Sequence, residues 1–367
     1  MRPRAPLTLF ALAVACTPSV ASQSQATPAG APPTSSSDAA SPGPGPSPPP
    51  LLPVALRCPP RFDHGCSFFA HFPRDGGAPA LFDVSHYRGG PVVVNERDVF
   101  VVSSATFAHV ARYSKSALGT ELPFDWSKGR VHEMALGDGH LVISTEEAVT
   151  DASPTAASYQ VVAKTGDAYA VGTADGLVAW TTFGVAPGVW LLDRGERSPR
   201  RVSNRSASAI AADATGVWWW EPKDGGGRVR FSPRGGKTPV DVASEAQTPS
   251  QIAVDANDVW WIIEEKSGRG LRRVPKTGGA PIDVAHTKGP TGHRDGHSRL
   301  IVDDTFAWLN DFSAIVRVRK STGVPEEVAR IVDLDGDVIS FDLDAREVWV
   351  SVQQYDPDPN PRRIPAL

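Results

Sequence analysis

Apolar and polar positions follow one another along the chain in a pattern that recurs seven times. Each copy has an apolar run, a short polar centre and a second apolar or aromatic run, as in VDANDVW at 254–260. A strand, a tight turn and a second strand produce this pattern, so each copy predicts a β-hairpin. The copies begin 36 to 48 residues apart, an interval typical of a four-stranded propeller blade. They lie at 94–100, 136–142, 172–178, 212–218, 254–260, 302–308 and 343–349.

A second hairpin pattern, with turns rich in glycine and proline, also occurs seven times. Glycine permits the positive φ of tight turns, and proline suits their borders. We call the strands of a blade A to D, counted outwards from the ring axis. The first pattern then predicts the A–B hairpins and the second predicts the C–D hairpins. The predicted C–D turns are 73–79, 114–120, 163–169, 193–199, 233–239, 275–281 and 319–325.

The order of the two patterns predicts how the ring closes. A C–D turn comes first in the chain, at 73–79, and an A–B hairpin comes last, at 343–349. Six blades are therefore continuous, and the seventh combines a C-terminal A–B hairpin with an N-terminal C–D hairpin. This pairing covers strand edges that would otherwise be exposed. We expect an all-β fold, a seven-bladed β-propeller with four-stranded blades.

The run GVWWWE at 216–221 carries apolar side chains at consecutive positions. A strand with one solvent-exposed face would alternate apolar and polar residues instead. The middle strands of a blade packed between two other blades are dry on both faces. We therefore expect Trp218 and Trp219 to point into opposite seams between blades, with Trp220 returning to the first seam. Tryptophan also recurs at one repeat position, which favours packing over a sugar-stacking platform. These residues are Trp218, Trp260, Trp308 and Trp349.

Aspartate recurs at the start of the predicted A–B turns. Its short side chain accepts hydrogen bonds from backbone N–H groups in tight turns, so we expect a structural role. Calcium binding is the alternative, but no repeat supplies the dense run of oxygen ligands that calcium takes. The four residues are Asp213, Asp255, Asp303 and Asp344.

The N-terminal segment indicates export. Residues 1–15 carry two arginines and an apolar run too short to span a bilayer, and they resemble a bacterial lipoprotein signal that ends before Cys16. The resemblance implies lipidation of Cys16; an ordinary cleaved signal is the alternative. Thr17 follows the cysteine. By the same resemblance this implies that the protein is anchored to the outer membrane and faces the periplasm or the cell surface. Residues 16–57 are rich in Pro, Ser and Ala, which predicts a disordered tether, and we expect residues 58–367 to form the propeller.

Cysteine content and charge narrow the remaining choices. Cys58 and Cys66 lie on the exported side, where disulfides persist, so we expect a disulfide between them; two free buried thiols are the alternative. The net charge of −4 leaves no overall basic footprint for nucleic acid. We expect a monomer.

The segment 286–299 is the most irregular part of the repeat. It contains His286, His293, Asp295 and His297, which are either residues of a solvated loop or contacts to a ligand or transition metal. No other cofactor is predicted. Connection lengths vary at 122–133, 144–158 and 286–299, which all lie on the face that carries the D–A and B–C connections. Since variable loops on a fixed scaffold tend to bind, we expect this face and the channel mouth to form the interaction surface.

Strand C is locally basic, at 228–234, 271–276 and 316–320. An anionic glycan or lipid head group is one partner for such a stripe. The alternative is a solvated outer part of each blade, where arginine stems cover apolar surface.

The repeats IAVDANDVWWI (252–262) and LRRVPKTGGAPIDVA (271–285) resemble secreted bacterial β-propellers of the broad TolB, NHL-repeat and streptogramin-lyase-like group. The resemblance covers about residues 67–355. It implies the propeller architecture; the His and Glu of the lyase-like members match no particular positions here. No G-x-S-x-G, H-E-x-x-H or P-loop motif is present. We therefore expect a binding or scaffold module for a protein or glycan, with a propeller lyase or hydrolase as the alternative.

Overall fold

The computed structural model describes most of the chain beyond the N-terminal fifty residues. All structural statements below refer to these residues. They are 52–57, 67–82, 90–102, 109–118, 120–126, 129–153, 159–184, 186–236, 238–266, 268–288, 298–332 and 336–354.

The described residues form strands and no helix, and the strands group into seven sheets. Blade 1 contains β4 (Val92–Val94), β5 (Asp98–Val102), β6 (Val110–Ser114) and β7 (Glu121–Trp126). Blade 2 contains β8 (Val131–Gly137), β9 (His140–Thr145), β10 (Ala148–Ala152) and β11 (Tyr159–Lys164). Blade 3 contains β12 (Ala168–Ala174), β13 (Leu177–Thr182), β14 (Gly188–Asp193) and β15 (Arg200–Ser203).

The remaining blades follow the same plan. Blade 4 contains β16 (Ile210–Asp213), β17 (Gly216–Lys223), β18 (Gly226–Pro233) and β19 (Val240–Glu245). Blade 5 contains β20 (Pro249–Val254), β21 (Asp258–Glu265), β22 (Gly268–Pro275) and β23 (Ile282–His286). Blade 6 contains β24 (Leu300–Val302), β25 (Phe306–Asp311), β26 (Ala314–Arg319) and β27 (Pro325–Ile331), with β1 (Val54–Leu56) added at its edge.

Blade 7 closes the ring as predicted. Its strand order is β28 (Gly336–Leu343), β29 (Glu347–Gln354), β2 (Ser67–Pro73) and β3 (Ala80–Phe82). The two ends of the repeat meet where β29 pairs antiparallel with β2, opposing Trp349 to His71. This confirms the seven-bladed β-propeller and its closure by hairpins from both ends.

One predicted turn occupies a different place in the repeat. The segment 163–169, predicted as the C–D turn of blade 2, joins β11 to β12 and therefore connects two blades. The segment does form a tight turn: Asp167 has a φ of 72° and donates its N–H to Glu146 O at 2.7 Å. The C–D connection of blade 2 lies between Ala152 and Tyr159 instead.

Seven clusters of buried apolar side chains fill the seams between neighbouring blades. Trp218 and Trp220 pack with residues of blade 5, whereas Trp219 packs with residues of blade 3. The alternation predicted for GVWWWE is therefore confirmed. A glycine lies opposite this run for a steric reason, since a Cβ on Gly227 would stand 2.3 Å from the Trp220 ring.

Strand β1 reinforces the seam next to the closing blade. It pairs parallel to β27, with Leu56 opposite Ile331, and Val54 and Leu56 are buried between blades 6 and 7. β1 lies within residues 16–57, the segment predicted to be the tether, so strand pairing reaches into the end of that segment.

Asp213 makes three kinds of contact that recur around the ring. Its Oδ1 accepts hydrogen bonds from the backbone N–H groups of Thr215 and Gly216, at 2.8 and 3.0 Å. Its Oδ2 accepts from the Trp218 indole at 3.2 Å and from Lys276 Nζ of blade 5 at 2.6 Å. The turn contacts confirm the structural role that was predicted, and the ion pair to the next blade adds a second role.

We call this arrangement of turn aspartate, indole and neighbouring cation the inter-blade clamp. Each cation comes from the C–D turn of the following blade, and Lys276 Nζ also lies 5.7 Å from the centroid of the Trp218 ring. Clamps at Asp303 and Asp344 flank the closing blade on both sides. The full clamps of the described residues are Asp213–Trp218–Lys276, Asp255–Trp260–Lys320, Asp303–Trp308–Arg74 and Asp344–Trp349–Lys115.

Two further seams carry the ion pair without a tryptophan. Arg194 of blade 3 pairs with Asp138 of blade 2 at 3.4 Å, and Arg234 of blade 4 pairs with Asp175 of blade 3 at 3.0 Å. The same turn-to-turn contact therefore sets the spacing of most neighbouring blades.

Replacing Lys276 with methionine is expected to lower the free energy of unfolding by about 1–3 kcal/mol at pH 7, because it leaves Asp213 partly buried without its cation. Burial raises the pKa of Asp213, but hydrogen bonds from Lys276 and Thr215 outweigh it, so this pKa lies below its ordinary value. The ion pair therefore contributes fully above the unfolded-state pKa of about 3.9 and is lost as the pH falls through the lower folded-state value.

Urea unfolding at pH 7 and pH 3 measures this effect. Lys223→Met is the matched control, because this exposed lysine makes no ion pair with any described residue. An equal loss for both variants at pH 7, or a Lys276→Met deficit undiminished at pH 3, would contradict the clamp.

Candidate functional site

The two faces of the ring differ in how much their connections vary. The C–D connections are nearly uniform, running from 74–79 in blade 7 to 320–324 in blade 6. The D–A connections range from 165–167 to 287–299. Because the strands of each blade are antiparallel, the D–A and B–C connections share one face, which we call the variable-loop face. Two segments were assigned too widely: only residues 127–130 of 122–133 form a D–A connection, and only residues 146–147 of 144–158 form a B–C connection.

Bulges interrupt the innermost strands of several blades near the variable-loop face. The register of strand A shifts between Val131 and Glu133, between Pro249 and Gln251, and between Val338 and Ser340. A bulge re-aims the side chain that follows it. Glu133 and Gln251 directly follow two of these bulges, and Ser340 follows the third, where its Oγ accepts from Val92 N of blade 1 at 3.2 Å.

Glu133 and Arg299 meet across the ring axis. Glu133 lies on β8 of blade 2, and Arg299 immediately precedes β24 of blade 6; Glu133 Oε1 and Arg299 Nη1 are 3.6 Å apart. Glu133 Oε2 accepts a hydrogen bond from Val171 N of blade 3 at 3.3 Å. The Gln251 side chain of blade 5 also hydrogen-bonds to Glu133. Four blades thus contribute to one polar group at the axis.

Asp342 of blade 7 adds a second carboxylate to this group. Its Oδ2 accepts a hydrogen bond from Val94 N of blade 1 at 2.8 Å. Burial raises the pKa of Asp342 and of Glu133, and the nearby Arg299 only partly opposes this in each case. We call Glu133, Gln251, Arg299 and Asp342 the axial cluster.

The backbone of Arg299 is fixed, whereas its guanidinium makes a single long side-chain contact. Its backbone N–H donates to Asn310 Oδ1 at 2.7 Å, which fixes the residue at the end of the D–A connection. Its Nε is buried without a hydrogen-bond partner, and the 3.6 Å contact to Glu133 is too long for a good hydrogen bond. Among the described residues, the guanidinium of Arg299 therefore has unused donors at the axis.

An aromatic group adjoins the axial cluster. Tyr169 is 48% exposed, which is unusual among the large apolar side chains of this fold. Its ring packs edge to face against His132 at 5.7 Å and Phe183 at 5.4 Å, and Ser144 Oγ donates to Tyr169 O at 2.9 Å. His132 precedes Glu133 in the chain, and its Nδ1 is buried without a partner.

The predicted site residues are placed only in part. His286 is exposed at the end of β23, with Nδ1 at 3.0 Å from both carboxylate oxygens of Glu265. His293, Asp295 and His297 lie outside the described residues, as do Cys16, Cys58 and Cys66. Within the described residues, no group of three or more His, Cys, Asp or Glu side chains could hold a metal ion.

The basic stripe of strand C is occupied by carboxylates. Arg228 and Arg230 both pair with the buried Glu221, at 2.7 and 3.1 Å. Arg272 pairs with the buried Glu245 at 2.7 Å. Arg228 and Arg230 are engaged within blade 4, and Arg272 of blade 5 reaches across the seam to blade 4, which favours the structural interpretation over an anion-binding stripe.

The axial cluster was missed because its members do not repeat. Gln251 and Arg299 each lie four residues before a turn aspartate, at a position where other blades carry different residues. A polar side chain at this position of an otherwise apolar inner strand was the available signal. The sequence could not show that Glu133 and Arg299 face each other across the axis.

Comparison with solved structures supports the fold. Apo AztD from Citrobacter koseri has a TM-score of 0.52 at 11% identity, over 79% of this chain and 99% of that chain. YCF48 from Cyanidioschyzon merolae gives 0.52 at 10% identity, over 79% and 99%. The extracellular domain of BT4673 from B. thetaiotaomicron gives 0.52 at 8% identity, over 80% and 40%.

At these identities the similarity shows a shared fold alone, and it confirms the resemblance to β-propellers at that level. No protein-family model matches the chain, and no curated protein matches its sequence. Within the described part of the chain, no helix has the length and apolar character needed to cross a membrane.

Neutralising Glu221 and neutralising Glu133 are expected to change the stability of the fold in different directions at pH 7. Burial alone would raise the pKa of Glu221, but hydrogen bonds from Arg228, Ser203 and Arg230 lower it to about 2. Glu221 therefore stabilises the fold above its unfolded-state pKa of about 4.3, and Glu221→Gln is expected to destabilise it at pH 7. The folded-state pKa of Glu133 is raised, so ionisation of Glu133 opposes folding as the pH rises above about 4.3.

Glu133→Gln is accordingly expected to leave the melting temperature at pH 7 unchanged or higher and to converge with wild type near pH 3. The deficit of Glu221→Gln should shrink as the pH falls below about 4.3 but persist in part at pH 3, because the folded-state pKa of Glu221 is about 2. Thermal unfolding from pH 3 to pH 8 tests both. A marked loss of stability for Glu133→Gln at pH 7 would show that Glu133 is a structural residue.

Proposed function

We propose that this protein is a membrane-tethered, extracytoplasmic binding or scaffold module that acts through its variable-loop face. The observation that carries the proposal is the contrast between the faces. One face carries turns of uniform length engaged in inter-blade clamps, and the other carries variable connections around the axial cluster. Binding sites on a rigid scaffold are commonly placed on such connections. The partner is a protein or glycan of the cell envelope.

The proposed module is a monomer, tethered through a lipidated Cys16 to the outer membrane and exposed to the periplasm or the cell surface. Within the described residues, β1 joins the propeller at the edge of blade 6, where it runs parallel to β27.

The second candidate function is a lyase or hydrolase with its site at the channel mouth. The raised pKa values of Glu133 and Asp342 favour it, because a carboxyl group that holds a proton nearer neutral pH can serve as a general acid or base. Turnover of an envelope glycan by wild type, abolished in Glu133→Gln, would place this candidate first.

Face-specific photocrosslinking tests the binding proposal. A photoreactive amino acid replaces Lys266, an exposed residue beside β21 on the variable-loop face, or Asp304, an exposed residue of the A–B turn of blade 6. Each tethered variant is expressed in its native cell envelope and irradiated. We expect one partner to be crosslinked at least about tenfold more from position 266, the ratio that a 1.4 kcal/mol preference produces.

Wild type without the photoreactive group controls for background. Equal crosslinking from both positions, or crosslinking from position 304 alone, would contradict the proposed face.

A further inference from the structure

We propose that the axial cluster and the adjoining Tyr169 form a site for an acidic saccharide, a sugar that carries a carboxylate. This deepens the proposed binding function and rests on it. The site lies at the axis on the variable-loop face, and its residues come from blades 2, 3, 5, 6 and 7.

Arg299 supplies the contact to the carboxylate. A guanidinium presents a planar fork of donors that matches a carboxylate in geometry, and such charge-assisted pairs are among the stronger hydrogen bonds. Its backbone is fixed by Asn310, and its side chain, which is 21% exposed, makes only the 3.6 Å ion pair with Glu133 among the described residues. A positioned guanidinium whose terminal donors are this weakly engaged indicates a ligand that accepts from them.

The carboxylates around Arg299 determine which anion fits. Glu133 Oε1 lies 3.6 Å from Arg299 Nη1, and Asp342 is close enough to interact electrostatically with the same guanidinium. A dianionic phosphate would be repelled by both carboxylates. A singly charged carboxylate is repelled less, and the raised pKa values of Glu133 and Asp342 reduce this repulsion further because they favour the neutral form.

The same side chains provide acceptors and donors for hydroxyl groups. The Glu133 carboxylate accepts from Val171 N and from the Gln251 side chain, and its Oε1 makes a long contact to Arg299. Gln251 contributes an amide with both a donor and an acceptor. A ligand with a carboxylate and several hydroxyl groups therefore matches the site better than a simple carboxylic acid.

Tyr169 supplies an apolar surface beside these polar groups. Its ring is 48% exposed and is braced edge to face by His132 and Phe183. The C–H face of a pyranose packs against such a ring, while its hydroxyl groups point towards neighbouring polar side chains. Binding sites commonly combine an aromatic wall with a few convergent polar groups in this way.

Calorimetry with a matched ligand pair tests the assignment. The probes are a β-1,4-linked glucuronate trimer and its fully methyl-esterified form, in which a neutral ester replaces each carboxylate. We expect the acid to bind at least about tenfold more tightly than the ester, as loss of a charge-assisted hydrogen bond predicts. Arg299→Gln should weaken binding of the acid by a similar factor and leave binding of the ester unchanged. Tyr169→Ala should weaken binding of both probes.

Arg97→Gln, at an exposed A–B turn position on the opposite face, is the matched control and should bind both probes like wild type. Arg299→Gln is expected to lower the unfolding midpoint modestly at pH 7, because the guanidinium offsets the burial of the Glu133 and Asp342 carboxylates, so binding is measured below the unfolding transition of this variant. Arg299→Lys provides a second variant that retains the charge but loses the fork.

Equal binding of acid and ester, or an Arg299→Gln variant that binds the acid like wild type, would overturn the saccharide assignment. Absence of binding to either probe would overturn it as well. If neither probe binds but crosslinking from position 266 captures a partner, the acidic-saccharide assignment is wrong and the proposed binding function is supported. If neither experiment gives a signal, both fail.

Discussion

The inter-blade clamp is the contact on which the ring depends. One aspartate caps its own A–B turn, accepts from an indole of the same blade and binds a cation from the next blade. The contact therefore couples the local geometry of a hairpin to the spacing of two sheets. Seam packing supplies most of the buried apolar area, but apolar contacts are non-directional, whereas hydrogen bonds and ion pairs fix the position at which one blade meets the next. Clamps on both sides of blade 7 extend this control to the blade that joins the two ends of the chain.

A ring held together at its seams and turns leaves the inner strands less constrained. Polar side chains differ there from blade to blade, and two of them, Glu133 and Gln251, directly follow bulges of strand A. The contrast between two carboxylates illustrates the division of roles. Glu221 is stabilised in its charged form by three hydrogen-bond donors. Glu133 is held where burial disfavours its charge, as expected when a site is kept for binding at some cost to stability.

Features of the structure that repeat from blade to blade could be predicted from the sequence. A contact that occurs once, between residues of blades on opposite sides of the ring, could not. The hairpins, the closing blade and the opposite directions of Trp218 and Trp219 follow from patterns that repeat. The segment 163–169 was assigned to the wrong connection because a tight turn between blades has the same residue chemistry as a turn within a blade. The role of Asp213 within its turn was predicted. Its ion pair with Lys276 was not, because Lys276 lies in the next blade and a local sequence pattern does not show which residues of two blades come into contact.

The Arg299 guanidinium at the axis, which makes a single long ion pair with Glu133, is the proposed centre of binding. Nitrogen-15 NMR of arginine-labelled protein observes this group directly, with the Arg299 Nε–H signal assigned by its loss in Arg299→Lys. On addition of the glucuronate trimer, we predict a saturable chemical-shift change of the Arg299 guanidinium signal, with the signal of Arg97 unchanged. A saturable response at other arginines with no change at Arg299 would contradict the account.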